Sequence, residues 1–183
     1  MSLRIGNGFD VHRFSDDPDR SLVLGGVHFD GELGLHGHSD ADVISHAVGE
    51  ALLGAAGLGD LGAHFPDTDE RWRGADSLQL LDEIVRMLAV EGWSVVNVDC
   101  SVIAEKPKLA SRREQMQQIL SARVGAPVTV KGRRAEGIGG LGRSEGIACL
   151  ASALLESAEI EAAEIEAAEI ESAEMSEQQG VQP

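Results

Sequence analysis

Hydrophobic residues change their spacing several times along the chain, and each spacing predicts a type of secondary structure. Alternating or continuous apolar runs bounded by turn residues predict strands over residues 3–12, 22–29, 93–105 and 128–130. Apolar residues three and four positions apart predict helices over residues 40–53, 75–91, 111–124 and 147–155. Because strands and helices interleave, we expect a small, single α+β domain in which a mixed sheet packs against helices.

Local signals predict where these elements begin and end. The turn-rich segment SDDPDRS separates the first two strands, and Ser39 or Asp40 is placed to cap the first helix. Gly92 follows the second helix and is a typical helix terminator. The Gly-rich segment EGIGGLGRSEG precedes the last helix. One face of the third strand is expected to carry four alternating residues, Val96, Val98, Cys100 and Val102.

Residues 158–183 form a tail that repeats the unit AEIEA. Its apolar residues recur every five positions, so each step turns by about 140° around a helix and no continuous apolar stripe forms. We therefore divide the chain into a domain of residues 1–157 and a Glu-rich tail of residues 158–183. The tail is predicted to be a solvated helix or disordered, with an interaction segment as the alternative.

The formal net charge of −16 is unevenly distributed. Nine of the 31 acidic residues lie between residues 156 and 177, whereas all 15 Lys and Arg residues lie at or before Arg143. The acidic balance argues against a nucleic-acid partner, while basic clusters at 106–113 and 131–143 predict a local site for a small anion. No stretch has the roughly 20 apolar residues of a membrane span, and the two cysteines form no disulfide framework. We expect a cytoplasmic protein without a membrane partner.

Three residues have the chemistry of a zinc site. Asp10 and His12 are two positions apart on a predicted strand and therefore project to the same face. His46 lies on the first predicted helix, and with it the set would provide three ligands and leave one tetrahedral position open, as in catalytic zinc sites. A polar pair at the end of a strand is the alternative interpretation. His36 and His38 are a weaker ligand pair because they lie in a flexible Gly-rich loop.

Two segments have residues suited to binding phosphate. His38 and Ser39 lie in the loop 34–42 before a helix, where backbone N–H groups favour an anion. An ordinary helix cap with solvated neighbours is the alternative for this loop. Further along, Arg133 and Arg134 precede Glu136, an arrangement that suits a phosphate bridged by a divalent cation.

Two other loops have residues suited to a sugar and a base. In residues 59–69, the carboxylates of Asp60, Asp67 and Asp69 can accept hydrogen bonds from sugar hydroxyl groups, with an acidic surface turn as the alternative. In residues 104–110, Lys108 can pair with a phosphate while backbone groups contact the edge of a base.

The order of these segments along the chain resembles that of a known enzyme family. The motifs are GFDVH, LGG, HSDADVxxH, LGDLGAHFPDTD, GADS, IAEKPKL and EGxGxxGRxEGIA. Over about residues 3–155, the chain resembles the 2-C-methyl-D-erythritol 2,4-cyclodiphosphate synthase family, which acts in the non-mevalonate isoprenoid pathway. The resemblance implies a homotrimer with active sites between adjacent subunits, and it does not extend to the tail.

The resemblance also implies a reaction and its site residues. The 2-phosphate oxygen of 4-diphosphocytidyl-2-C-methyl-D-erythritol 2-phosphate attacks the β-phosphorus and CMP is released, which makes the family metal-dependent phosphorus–oxygen lyases. Zinc is assigned to Asp10, His12 and His46, and magnesium or manganese to Glu136. His38 and Arg134 are assigned catalytic roles. The implied substrate-binding residues are Asp10, Val11, His12, His38, Ser39, Asp60, Leu61, Gly62, Phe65, Pro66, Asp67, Thr68, Asp69, Ala104, Glu105, Lys106, Pro107, Lys108, Leu109, Ala110, Arg133, Arg134, Ala135, Glu136, Gly140 and Arg143.

Two positions depart from the family pattern. Arg134 stands where the family usually has a threonine that donates a hydroxyl group to the phosphates, and its guanidinium is expected to clamp a phosphate instead. Gly140 stands near a position where many members have an aromatic residue that lines the central cavity. Without that ring we do not expect a prenyl diphosphate in the cavity, although Arg143 is retained.

Two other functions are compatible with these residues. A zinc-dependent phosphoesterase would use water at the open zinc position but needs a general base, for which the sequence suggests no residue beyond His38. A non-catalytic trimer that binds cytidine nucleotides or prenyl diphosphates would explain Arg134 as a mark of lost catalysis. The zinc ligands and Glu136 favour the cyclase over both alternatives.

Overall fold

Four strands form a mixed sheet on which the helices pack. The computed structural model describes residues 2–157. Its strands are β1 (Leu3–Arg13), β2 (Val23–Leu24), β3 (Val27–His28), β4 (Trp93–Ile103), β5 (Val128–Arg133) and β6 (Gly146–Ser157). Its helices are α1 (Val43–Ala56), α2 (Leu61–His64), α3 (Ser77–Val90), α4 (Arg113–Val124) and α5 (Gly139–Gly142), with 3₁₀ turns at Glu70–Trp72 and Leu109–Ser111.

The sheet has the strand order β1-β6-β4-β5, and β2 and β3 form a separate hairpin. β6 is antiparallel to both β1 and β4, whereas β4 and β5 are parallel. The core lies between this sheet and the helices α1, α3 and α4, where large side chains such as Leu52, Leu81 and Leu120 are fully buried. The expected α+β fold with a mixed sheet is confirmed.

The sequence prediction was wrong for residues 147–155, which belong to the strand β6 and not to a helix. Ala and Leu dominate this segment and favour a helix when only local propensity is considered. In the structure, Ile147 and Cys149 are buried, whereas Leu150 is exposed on the opposite face. β6 pairs with strands on both sides, and this tertiary pairing outweighs the local helix propensity.

The predicted strand over residues 22–29 is interrupted by a tight turn. Gly25 and Gly26 have φ angles of 56° and 72°, and they connect β2 to β3 in an antiparallel hairpin. Positive φ at both central residues is what a two-residue hairpin turn requires, and glycine adopts it without strain. The sequence prediction of a continuous strand was therefore wrong at this turn.

Helix α1 begins later than predicted, and its N-cap is Asp42 and not Ser39 or Asp40. The buried Asp42 carboxylate accepts hydrogen bonds from the backbone N–H groups of Ile44 and Ser45 at 3.1 and 3.3 Å. It also accepts from Gly25 N at 2.8 Å and Gly26 N at 2.7 Å. One carboxylate thus joins the start of α1 to the β2–β3 hairpin.

In β4, three of the four residues predicted to share one face do so. Val98, Cys100 and Val102 are buried in the core. Val96 lies at an irregularity where the register between β4 and β6 shifts, between Val95 and Asn97. An extra residue at such a bulge breaks the two-residue alternation on which the prediction rested.

Two glycines in β1 allow α1 to approach the sheet closely. A Cβ atom at Gly6 would lie 2.0 Å from the carbonyl oxygen of Ala51, and one at Gly8 would lie 2.1 Å from that of Ala47. Only glycine therefore fits at these positions without moving α1 away from β1. This close contact brings the first turns of α1 beside the later residues of β1.

The opposite face of the sheet is exposed and apolar along β1 and β6. We call Leu3, Ile5, Phe9, Val11 and Leu150 the apolar sheet face; all are exposed, Ile5 the most, at 78%. Phe9 pairs directly with Leu150 in the β1–β6 register. Exposed apolar surfaces of this kind typically mark interaction sites.

Two sequence-based expectations concern membranes and the tail. Between residues 2 and 157, no helix combines the length and the apolar character needed to cross a membrane. The tail of residues 158–183, predicted as a solvated helix or disordered, lies outside the described residues.

Candidate functional site

Asp10, His12 and His46 meet where β1 contacts α1. Asp10 Oδ2 lies 3.0 Å from His12 Nε2 and 3.0 Å from His46 Nδ1, and the two nitrogens are 3.2 Å apart. All three donor atoms lie within 4.8 Å of one another, close enough to bind one metal ion. We call these three residues the metal triad. The structure thus brings together the residues that the spacing in the sequence suggested as ligands.

The donor set of the metal triad suits a divalent ion such as zinc. Zinc accepts one carboxylate oxygen and two imidazole nitrogens, and three protein ligands leave a position open. His12 Nδ1 lies 2.8 Å from the carbonyl oxygen of His36 and donates to it, so Nε2 is available to a metal. The outer nitrogen of His46, Nε2, lies 2.9 Å from Ser77 Oγ. Both imidazoles therefore have the outer hydrogen-bond partners that metal-binding histidines usually have.

The three groups of the triad change one another's protonation. Burial by itself would raise the pKa of Asp10, but hydrogen bonds from His12 and His46 hold this pKa well below its usual range. Burial would lower the pKa of His12, but the Asp10 carboxylate outweighs this effect and raises it. Before a metal binds, the site therefore keeps Asp10 ionised and favours a protonated His12.

We expect the affinity of the triad for a divalent metal to rise with pH. A metal binds only the neutral imidazole, and because the pKa of His12 is raised above 6.5, a proton competes with the metal up to a pH above that value. Zinc affinity, measured by competition with a chromophoric chelator between about pH 5 and 8, should increase across the range. An affinity independent of pH would contradict His12 as a ligand.

The triad lines a cleft of about 450 Å³. Besides Asp10 and His12, six residues that the sequence analysis assigned to the substrate line the same cleft: His38, Ser39, Leu61, Gly62, Phe65 and Asp67. The ring of His38 is held by its Nε2, which lies 3.2 Å from the carbonyl oxygen of Asp69 and donates to it. The loops predicted to contact phosphate and sugar therefore meet beside the metal triad.

The same cleft has lining residues that the sequence analysis missed. They are Phe9, Gly37, Glu50, Trp72 and Leu80, while His36, named above only as a weaker candidate ligand, lines the cleft as well. Glu50 Oε1 accepts a hydrogen bond of 3.1 Å from the backbone N–H of Leu61. Trp72 packs edge-on against Phe65, with ring centroids 5.0 Å apart. No local pattern marks Glu50, Trp72 or Leu80, because their partners become neighbours only in the folded chain.

A second cleft, of about 430 Å³, has a cationic lining. It combines the predicted segment 104–110 with Arg113 and residues 132–134. Glu105 is the one acidic residue among the lining positions. Five of the lining side chains are basic: Lys106, Lys108, Arg113, Arg133 and Arg134. Within residues 2–157, no residue lines both clefts. We call this second site the cationic cleft.

Arg134 forms an ion pair with Glu105 at the edge of the cationic cleft. Its Nε and Nη2 atoms lie 2.8 and 2.7 Å from Glu105 Oε2. The Glu105 side chain is 9% exposed, whereas that of Arg134 is 68% exposed. The hydrogen bond and charge of Arg134 lower the pKa of Glu105, so the carboxylate stays ionised. The exposed guanidinium has five N–H donors, enough to contact a phosphate as well.

The other residues implied by the resemblance lie outside both cleft linings. Asp60 caps α2 by accepting a hydrogen bond of 2.8 Å from Ala63 N. Glu136 is exposed, with a φ of 52°, in the loop before α5. Arg143 pairs with Glu145 at 2.7 Å. The remaining ones are Val11, Pro66, Thr68, Asp69, Ala135 and Gly140. A binding role for all of these residues stays a prediction.

The fold and the triad define a small α+β protein that can hold one divalent metal ion in an open cleft. The model of the YgbB family matches residues 3–156. The chain therefore belongs to the YgbB family.

Similar proteins have names that specify an activity. The chain is 54% identical over 159 residues to the 2-C-methyl-D-erythritol 2,4-cyclodiphosphate synthase of Synechococcus sp. strain CC9311. The aligned region covers 84% of this chain and 95% of that protein. The chain is 56% identical over 153 residues to the bifunctional enzyme IspD/IspF of Anaeromyxobacter dehalogenans strain 2CP-C, covering 82% of this chain but only 39% of that protein.

A solved structure agrees with the sequence comparisons. A CDP complex of Plasmodium falciparum IspF matches this fold with a TM-score of 0.74 and 31% sequence identity, covering 85% of this chain and 97% of that chain. The family expected from the sequence motifs is confirmed.

Proposed function

We propose that this chain is a metal-dependent cyclodiphosphate synthase of the non-mevalonate isoprenoid pathway. Its substrate is 4-diphosphocytidyl-2-C-methyl-D-erythritol 2-phosphate, and its products are 2-C-methyl-D-erythritol 2,4-cyclodiphosphate and CMP. The observation that carries this proposal is the convergence of the metal triad with His38, Ser39 and Asp67 in one cleft. A relative that is 54% identical to this chain, aligned over 95% of its own length, is named for this activity.

The reaction is an intramolecular displacement at phosphorus. An oxygen of the 2-phosphate attacks the β-phosphorus, the new P–O bond closes the ring, and CMP leaves with the electron pair of the broken bond. Because the substrate carries its own nucleophile, the chain needs no nucleophilic side chain. Its residues act by holding the substrate in a reactive conformation and by balancing phosphate charge.

The side chains of the two clefts divide these tasks. Asp10, His12 and His46 would hold zinc, and Glu136, outside both cleft linings, would hold magnesium or manganese; bound there, the ions would supply Lewis-acid neutralisation of phosphate charge. His38, whose Nε2 donates to the carbonyl oxygen of Asp69, lies in the cleft of the triad where the phosphates would bind. The cationic cleft, through Lys108 and its other basic residues, balances the diphosphate, while the backbone of residues 104–110 contacts the cytosine.

The active site is proposed to lie between copies of the chain in a homotrimer. The cleft of the triad and the cationic cleft share no lining residue within residues 2–157, and in the proposed trimer one substrate would use the first from one copy and the second from its neighbour. The apolar sheet face offers a surface for that contact. Phe9 belongs both to this face and to the cleft of the triad, so an interface here would border the site.

Replacing Ile5 with glutamate should weaken self-association and turnover together. Ile5 is 78% exposed on the apolar sheet face, so a charge at this position stays in water and costs little folding stability in a single copy. In an interface, the same charge would be buried without an ionic partner, which costs binding free energy. Sedimentation velocity measures the assembly, and circular dichroism checks the fold. Val90→Glu is the matched control, because Val90 is similarly exposed, at 73%, but ends α3. If Ile5→Glu keeps the mass of the parent assembly, the face is not the interface.

One assay separates the cyclase from its two alternatives. The diphosphocytidyl substrate is incubated with the protein, zinc and magnesium, and the phosphorus signals are followed by NMR. The cyclic diphosphate together with CMP would support the proposal. Open-chain phosphate products would favour the zinc-dependent phosphoesterase, and binding without turnover would favour the non-catalytic binder. The cytoplasmic location and the lack of a nucleic-acid partner stay predictions from the sequence.

A further inference from the structure

A buried serine outside the metal triad contacts one of the triad's ligands. Ser77 is the first residue of α3 and is 1% exposed. Its Oγ lies 2.9 Å from His46 Nε2, and its hydroxyl also forms a hydrogen bond with Asp40 Oδ1. Asp40 Oδ2 accepts a second hydrogen bond, of 3.1 Å, from the backbone N–H of Ser77. Asp40, Ser77 and His46 therefore form a continuous chain of hydrogen bonds that ends at the triad.

The chemistry of each group decides the direction of these hydrogen bonds. The Ser77 hydroxyl donates to Asp40 Oδ1, so its proton points to Asp40. Ser77 Oγ then has only lone pairs to offer His46, which must donate from Nε2. When Nδ1 of His46 binds a metal, Nε2 carries the only N–H of the ring and needs such an acceptor.

A second serine lies near the same nitrogen but farther from it. Ser39 Oγ lies 3.2 Å from His46 Nε2 and already accepts a hydrogen bond of 3.1 Å from Ala41 N. Ser77 is closer, and its hydroxyl proton is held by Asp40, so a lone pair always faces the imidazole. Ser77 is therefore the main partner of His46 Nε2.

The surrounding backbone fixes Asp40 and Ser77 relative to each other. Asp40 N donates to the carbonyl oxygen of Ala75 at 3.0 Å, and Gly74 N donates to that of His38 at 2.8 Å. These bonds pair the loop before α1 with the segment before α3. The buried residues Leu78 and Leu81 anchor α3 in the core, so the hydroxyl of Ser77 occupies a fixed position.

We propose that Ser77 is a positioning residue for the metal ligand His46, and that Asp40 orients the Ser77 hydroxyl as an acceptor. This inference rests on the proposed function, because it assumes that the triad binds a divalent metal. Removing such an outer partner typically lowers metal affinity by about 10–100-fold. The expected loss for Ser77→Ala is in that range.

The matched control is Ser45→Ala. Ser45 is also a buried helical serine, 3% exposed, whose hydroxyl donates to a carboxylate, that of Asp42, at 2.8 Å. Both variants lose one buried hydroxyl that is bonded to an aspartate, but of the two hydroxyls only that of Ser77 also lies within hydrogen-bond distance of a triad side chain. Ser77→Thr keeps the hydroxyl and is expected to bind metal more tightly than Ser77→Ala.

Two measurements test the proposal without an activity assay. Zinc affinity is measured by chelator competition, and the imidazole N–H protons of the zinc-loaded protein are followed by NMR with ¹⁵N-labelled histidine. We expect lower affinity and faster solvent exchange of the His46 Nε2 proton in Ser77→Ala, but parental values in Ser45→Ala. Equal affinity in the parent and in Ser77→Ala, or equal losses in both alanine variants, would overturn the inference and leave the proposed function standing. A parent protein that binds no zinc would overturn both.

Discussion

Replacing His46 with alanine should abolish turnover and remove zinc from the triad while leaving the fold nearly intact. His46 supplies one of three ligands, so its loss leaves Asp10 and His12 alone at the site. We expect a larger loss of affinity than the roughly 10–100-fold caused by losing an outer hydrogen bond. The side chain of His46 is 16% exposed at the cleft, whereas the packing of α1 depends on fully buried neighbours such as Ile44 and Val48.

Metal analysis of the purified variant and steady-state kinetics measure these effects. His28→Ala is a suitable control, because His28 is exposed on β3 and is not part of the triad. It should keep parental zinc content and turnover. Full zinc stoichiometry in His46→Ala would show that another set of residues binds the metal.

Replacing Arg134 with alanine should lower turnover by about 10²–10³-fold, as the loss of a donor that stabilises developing negative charge does in other enzymes. The physical reason is the charge-assisted contact that the exposed guanidinium can make to a phosphate. Glu105 holds this guanidinium at the cationic cleft through the ion pair at 2.7 Å. Zinc binding should persist, because Arg134 is not part of the triad.

Steady-state kinetics on a set of variants tests the role of Arg134. Arg134→Thr should recover part of the loss, since it restores the hydroxyl that the family usually has at this position. Arg86→Ala is the matched control, because Arg86 also pairs with a glutamate, Glu83, but on the surface of α3. Parental turnover in Arg134→Ala would refute the phosphate clamp, and Arg133 or Lys108 would then have to supply the charge.

The sequence by itself predicted the three residues of the triad and the class of the fold. Asp10 and His12 share a face because side chains alternate along a strand, and this period is a local property. The helix that carries His46 was evident from its apolar spacing. Among the residues around the triad that contact the substrate in the proposal, His38 was suggested by its loop before a helix, whereas Phe65 was found only through the family motifs.

Only the tertiary structure decided the nature of β6 and the distance between α1 and the sheet. The segment 147–155 has the composition of a helix, yet pairing with two neighbouring strands makes it a strand. The glycines of β1 gave no sequence signal for their role, because the atoms that a side chain at Gly6 or Gly8 would strike belong to α1. Such contacts depend on residues about 40 positions apart, and no local period records them.

The tertiary structure likewise decided which polar residues support the triad. The motif HSDADV contains Asp40, and GADS contains Ser77, but neither motif shows that their side chains meet at His46. The ion pair of Arg134 with Glu105 and the separation of the two clefts were also absent from the sequence analysis. Spacing along a chain predicts which side chains share an element, whereas hydrogen bonds and clefts depend on how distant elements pack, so these features had to come from the folded structure.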